Sequence, residues 1–132
     1  MNRKVISIKG ITRAEAWLVK KYISTEAKKA KFMSGAEMSE MTGIPEDTCG
    51  NALADVKKKG LLEEQYAVFC PKCGKIVDRC SNEHGIRMSG YVCPWCRSEV
   101  RYDRNRIVSL FAPLDADRTS MLVNAEITGT DG

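Results

Sequence analysis

An α+β fold is predicted from three observations. Two capping boxes and a proline-initiated apolar pattern set helices in the first half of the chain. Two Cys-Pro-x-Cys pairs, each following a short β-type stretch, set a strand-built lobe after them. A nearly continuous apolar run ending in a proline then sets a last strand. The 132 residues suit one ordinary domain or two small lobes, and 43% hydrophobic residues supply a packed core.

Helical signals come first in chain order. Thr12-Arg13-Ala14-Glu15 has the form of a capping box, with Thr12 as N-cap and Glu15 three residues on. Ala14, Leu18 and Tyr22 recur behind it at helical spacing, with Trp17 on an adjacent stripe, so a helix is expected over 12–31. Ser34-Gly35-Ala36-Glu37 repeats the capping pattern and opens a shorter helix with Ala36, Met38 and Met41, closed by Gly43. Pro45 then starts a third helix with Cys49, Ala52, Leu53 and Val56 on one face, ending at Gly60. Leu61-Leu62 begin a strand.

Gly43-Ile44-Pro45-Glu46-Asp47-Thr48-Cys49, running into Asn51-Ala52-Leu53-Ala54-Asp55-Val56-Lys57-Lys58-Lys59-Gly60-Leu61-Leu62, resembles the helix-turn-helix core of winged-helix regulators. The resemblance covers residues 12–68 and implies a winged helix-turn-helix in which the third helix enters the DNA major groove. On that reading Asn51 pairs with adenine and Thr48, Lys57 and Lys58 meet phosphates. Glu46 and Asp47 oppose phosphate and suit the dipole at the helix start. Glu63-Glu64-Gln65-Tyr66 places acids where a basic wing tip would lie.

Cys70-Pro71-Lys72-Cys73-Gly74 and Cys93-Pro94-Trp95-Cys96 form a doubled motif with nineteen residues between Cys73 and Cys93. Each Cys-x-x-Cys turns two thiolates toward one point, and the intervening segment is long enough for a hairpin that brings the pairs together. Four thiolates suit one tetrahedral Zn²⁺ with no open position, so Cys70, Cys73, Cys93 and Cys96 are expected to hold a structural zinc in a ribbon. A rubredoxin-like iron centre uses the same ligands. A thiol oxidoreductase instead puts one pair at a helix start within a βαβ unit. A disulfide framework needs export, and Met1-Asn2-Arg3-Lys4-Val5 has no apolar signal core.

A winged helix followed by a zinc ribbon is also similar to the α subunits of transcription factor E. Those are not enzymes, and support promoter opening while bound to RNA polymerase. The present chain departs from them by running from the wing strand into Cys70 with no helical linker.

The remaining residues are weighed on both sides. Cys80 and His84 lie between the pairs at a spacing that suits further ligands, but the doubled motif already completes a site, leaving a polar ribbon tip. Cys49 falls on the inward helix face as a small hydrophobe. Trp95 is either a recognition aromatic or a lid over Phe69 or Tyr91, the second being preferred. Charge is uneven: residues 1–69 carry 12 Lys and Arg against 9 acids, 70–110 carry 8 against 4, and 111–132 carry 1 against 4. The basic excess over the cysteine lobe suits phosphate or an acidic protein surface, or is a solvated face.

The sequence holds no nucleophile–base pair, carboxylate dyad or Gly-rich phosphate loop, so an enzyme or small-molecule site is not expected. No apolar run has membrane-spanning length, so no membrane partner is expected and the location is cytoplasmic or nucleoid-associated. The expected organisation is a winged-helix domain at 1–68, a zinc ribbon at 69–104 and a strand with an acidic tail at 105–132. In that tail 117–123 forms a short helix or orders on binding. The first functional expectation is a transcription regulator or initiation-factor-like protein binding DNA or RNA polymerase. The second is a protein-docking adaptor, and the third is an iron-bearing electron carrier.

Overall fold

The computed structural model describes residues 4–29, 31–86, 91–100 and 107–129. Its elements are β1 (Val5–Ile8), α1 (Arg13–Lys28), α2 (Gly35–Thr42), α3 (Glu46–Lys58), β2 (Leu62–Phe69), β3 (Ile76–Cys80), a 3-10 turn (Glu83–Gly85), β4 (Tyr91–Val92), β5 (Glu99–Val100), β6 (Ile107–Pro113), α4 (Ala116–Asn124) and β7 (Glu126–Gly129). They fall into two units: Met1–Glu63 with Phe111–Gly132, and Glu64–Leu110. The cysteine-rich unit is therefore inserted into the helical one, and the last 22 residues belong to the helical fold.

Both caps that were legible in the sequence form. Thr12 Oγ1 accepts from the Glu15 amide at 3.1 Å, and Glu15 Oε1 accepts from the Thr12 amide at 2.8 Å. Ser34 Oγ accepts from the Glu37 amide at 3.1 Å. The Glu37 carboxylate does not reach back to complete a second box; it accepts from Tyr22 Oη at 2.9 Å, joining α2 to α1. Burial and that carboxylate push the Tyr22 hydroxyl well above the ordinary tyrosine range.

The inward face of α1 is rotated from the expected stripe. Ala16, Val19, Tyr22, Ile23, Glu26 and Ala27 are buried, whereas Ala14 is exposed, Leu18 half-buried and Trp17 62% exposed. That face packs against β7, α4 and α2, so the tertiary neighbours chose between two apolar stripes of similar strength. In α2 only Met38 is buried; Ala36 and Met41 face outward. Gly43 takes φ +79° and its N–H closes on Ser39 O at 2.8 Å, ending the helix as expected. In α3 the expected face of Cys49, Ala52, Leu53 and Val56 is fully buried. At the crossing of α2 and α3, a Cβ on Gly35 would stand 3.0 Å from the Gly50 amide nitrogen, so the two backbones meet where neither residue has a side chain.

The C-terminal segment differs most from expectation. β6 ends at Pro113 as predicted and the short helix offered for 117–123 forms as α4, but the strand β7 after it was not expected. β7 pairs in parallel with β1, in register from Val5↔Glu126 to Ile8↔Gly129. Ile6, Ile8, Leu122, Ala125 and Ile127 join the main core with the inner residues of α1 and α3. Asp115 caps α4 by accepting from the Arg118 amide at 2.8 Å. At the other end Lys20 of α1 donates to the carbonyls of Leu122, Val123 and Ala125 at 2.8, 2.6 and 2.6 Å. One ammonium thus satisfies three carbonyls at the negative end of the helix.

In the inserted unit the strand order is β3-β2-β6, and β4 and β5 form a separate antiparallel pair. β2 and β3 pair antiparallel from Tyr66↔Cys80 to Phe69↔Ile76, with a register shift between Val68 and Phe69 just before the first metal-ligand candidate.

Lys20→Met, which keeps the apolar stem and removes the donor, is expected to lower the stability of the chain by about 2 kcal/mol in chemical denaturation. Trp17→Ala, at an exposed site, is expected to change it by less than about 0.5 kcal/mol.

Candidate metal centre

Each cysteine pair occupies a tight turn built to one pattern. In the first, the Cys70 amide donates to Lys75 O at 2.8 Å and the Gly74 amide to Cys70 O at 2.8 Å. In the second, the Cys93 amide donates to Ser98 O at 2.8 Å and the Arg97 amide to Cys93 O at 2.9 Å. The residue after the second cysteine of each turn is left-handed, Gly74 at φ +77° and Arg97 at φ +63°. Glycine takes that conformation freely, whereas Arg97 does so at a cost of about 1 kcal/mol.

The two turns bring Cys70, Cys73, Cys93 and Cys96 together, with all four Sγ atoms within 4.8 Å of one another. Cys70 Sγ lies 3.6 Å from Cys96 Sγ, and Cys73 Sγ lies 3.6 Å from Cys93 Sγ. A tetrahedral ion with bonds of about 2.3 Å to sulfur has edges of about 3.8 Å, so the donor set fits one metal ion and is compatible with a structural zinc. Cys70 and Cys93 are buried while Cys73 and Cys96 face solvent, so the centre lies at the rim of its unit.

Hydrogen bonds favour the anionic form of Cys96 and Cys70. The Ser98 hydroxyl, with its backbone N–H, lowers the Cys96 thiol to about 6. The Cys73 and Lys72 amides hold the Cys70 thiol below its ordinary value. At Cys73 the Lys75 amide acts in the same direction, but burial and the three neighbouring sulfurs outweigh it and raise the thiol to about 11. Such crowding favours the protonated form of Cys73, and a bound cation would relieve it.

The other two cysteines are not among the four converging sulfurs. Cys49 is wholly buried in α3 with Sγ 3.6 Å from Ile44 O, and burial raises its thiol. Cys80 ends β3 and is half-buried, and His84 is exposed in the 3-10 turn. Among the described residues only the doubled motif converges on a metal position.

Trp95 departs from its expected role as a lid. It is 60% exposed, its Nε1–H donates to Ile76 O at 3.4 Å, and Lys75 Nζ stands 4.7 Å from the ring centroid. Its position after a proline in a metal-binding turn was the available sequence signal, because a turn whose interior holds sulfurs leaves little room for an indole. On α3, Asn51, Lys57 and Lys58 are exposed and Thr48 is half-buried, all outside the core face. Among the described residues no helix is long and apolar enough to cross a membrane.

Comparisons with protein-family models, curated proteins and solved structures give no match to this chain.

Metal affinity is expected to fall more than ten-fold per pH unit as pH drops from 7 to 5. Protons then compete even for Cys96, and more than one must leave for the ion to bind. Competition with a chromophoric chelator measures this, and Cys93→Ser is expected to abolish the site while Cys80→Ser leaves it intact. Arg97→Gly is expected to stabilise the metal-loaded chain by about 1 kcal/mol in chemical denaturation.

Proposed function

We propose that this chain is a non-enzymatic, zinc-stabilised transcription regulator that binds DNA through α3. The observation that carries the reading is the crossing of α2 and α3. A three-residue turn, Gly43-Ile44-Pro45, joins the helices, and Gly35 and Gly50 let them approach closely. The outer face of α3 is left to present Thr48, Asn51, Lys57 and Lys58.

Two further features support a winged helix-turn-helix. The segment between α1 and α2 makes an antiparallel bridge, Met33 with Phe111 of β6, through amide–carbonyl bonds of 2.6 and 2.7 Å. The strand that leaves α3, β2, is a sheet neighbour of β6. On this reading β2 and β6 are the two wing strands, with residues 70–106 as the connection between them in the chain. Zinc is the proposed ion because four sulfurs in tetrahedral array leave no open coordination position and zinc brings no redox chemistry. Iron in the same ligands would colour the protein red.

Glu46 and Asp47 shape how α3 meets DNA. Both are exposed in the first turn, where they complement the helix dipole and repel phosphate. Phosphate contact therefore falls to Lys57 and Lys58 at the other end, and base contact to Asn51.

Docking to protein without DNA is favoured by a different observation. Trp17 and Met41 are 62% and 61% exposed, and a cleft of about 270 Å³ is lined by Leu18, Lys21, Tyr22, Thr25, Met41 and Thr42. An apolar interface there would be nearly insensitive to salt.

Fluorescence anisotropy of labelled duplex DNA with the zinc-loaded chain separates the two. Submicromolar binding at low salt is expected, weakening as salt rises and lost in Lys57→Ala/Lys58→Ala. Absence of binding at low salt overturns the DNA reading in favour of docking.

A further inference from the structure

A Cys-x-x-Cys turn needs its ligands and one left-handed residue; it does not need tryptophan. Trp95 is nevertheless the largest side chain in the second turn and is 60% exposed. Val92 beside it is 64% exposed, and Pro94 is exposed as well. An indole left in water at a rigid turn is poorly explained by packing, because burial of its surface would have been favourable.

The ring is also held in place. Its Nε1–H is tied to Ile76 O, and the Lys75 ammonium stands over it in cation–π distance. Both partners follow the first turn, so the cysteine cluster that joins the two turns also fixes the ring's orientation. The aromatic surface is thus pre-ordered, and a ligand stacking on it loses little side-chain entropy.

Three exposed cations belong to the two turns: Lys72 within the first, Lys75 just after it and over the ring, and Arg97 directly after the second. Each lies within two residues of a ligand cysteine. Asp78 and Glu99 are the acids nearest in sequence, and across 70–110 the cations outnumber acids 8 to 4. Zn²⁺ with four thiolates carries two negative charges, which halves that surplus, so electrostatics alone gives a modest attraction.

We propose that the face formed by Trp95, Lys72, Lys75 and Arg97 binds single-stranded nucleic acid. An unpaired base stacks on the indole, and the flanking ammonium and guanidinium groups meet the adjacent phosphates. A duplex keeps its base faces inside the stack and cannot use the ring. An acidic peptide would use the cations and leave the fixed indole without a flat partner. The proposal concerns a different surface from α3 and stands whether or not α3 binds duplex DNA.

The test uses the full zinc-loaded chain and a short fluorescein-labelled oligothymidylate, read by anisotropy and by quenching of tryptophan emission. Binding in the micromolar range with quenching is expected, and the same-length duplex should compete poorly. Trp95→Ala is expected to weaken binding at least ten-fold while retaining one equivalent of metal, and Trp95→Phe to retain most of the affinity. Lys72→Ala/Lys75→Ala should weaken binding with a shallower salt slope, whereas Lys57→Ala/Lys58→Ala should leave it unchanged. Equal affinity of wild type and metal-loaded Trp95→Ala overturns the proposal. So does competition by oligoglutamate as strong as that by unlabelled oligothymidylate, which would make the face an acidic-protein site.

Discussion

Among its described residues, the unit 64–110 has a small buried cluster in which two sulfurs take part. The buried centre of that unit is Val68, Cys70, Ile86 and Cys93, with Tyr66, Val77, Cys80 and Ile107 packed partly against it. Two of the four residues in that cluster are metal-ligand candidates, Ala67 and Leu110 being buried as well, and most of the strands around them are short. Burial on that scale offsets little of the conformational entropy of the chain, so the convergence of four thiols, which an ion would make favourable, is the constraint on which the unit rests. The two matched turns follow from it: each directs a pair of sulfurs to the same point and each accepts a left-handed residue to do so. The second has arginine at that position, at φ +63°.

The helical unit is stabilised in the opposite way, by a dense apolar core with few polar insertions. Its core runs from Ile6 in β1 to Ile127 in β7 and includes the inner faces of α1, α3 and α4. The polar groups within it have specific tasks. Tyr22 and Glu37 tie α1 to α2, and Lys20 closes the end of α4. Cys49 belongs to this core as a packing residue, with its thiol raised and its sulfur held against a carbonyl. The division of labour among cysteines is thus set by surroundings: amide and hydroxyl donors around Cys70 and Cys96, hydrocarbon around Cys49.

Features written in local sequence were legible. The caps at Thr12 and Ser34, the glycine stop at Gly43, the α3 face and the cysteine turns all depend on residues within a few positions of one another. Features decided by distant partners were not. No local pattern announces that Val5–Ile8 pairs with Glu126–Gly129, because Ile6 and Ile8 look like any short apolar run until Ile127 is beside them. The phase of α1 was lost for a related reason: Leu18 and Trp17 are as apolar as Val19 and Ile23, and only the neighbouring elements select the buried stripe. Glu37 satisfied the sequence pattern of a capping box, yet a tyrosine fifteen residues earlier took its carboxylate. Trp95 was misplaced because hydrophobicity suggests burial, while a turn filled by sulfur has no interior to offer.

The insertion topology couples the metal to the helical fold through chain statistics. Phe111 and everything after it are separated from Glu63 by the whole of residues 64–110. A metal that orders that span would hold the ends that leave and re-enter the helical unit through a folded connection. Without it, an unfolded span of that length would carry a loop-closure cost of about 4 kcal/mol. β7 and α4, which complete the helical core, are then tethered only by that loop. An ion bound at the four cysteines would thereby set the effective concentration of the helical unit's last strand.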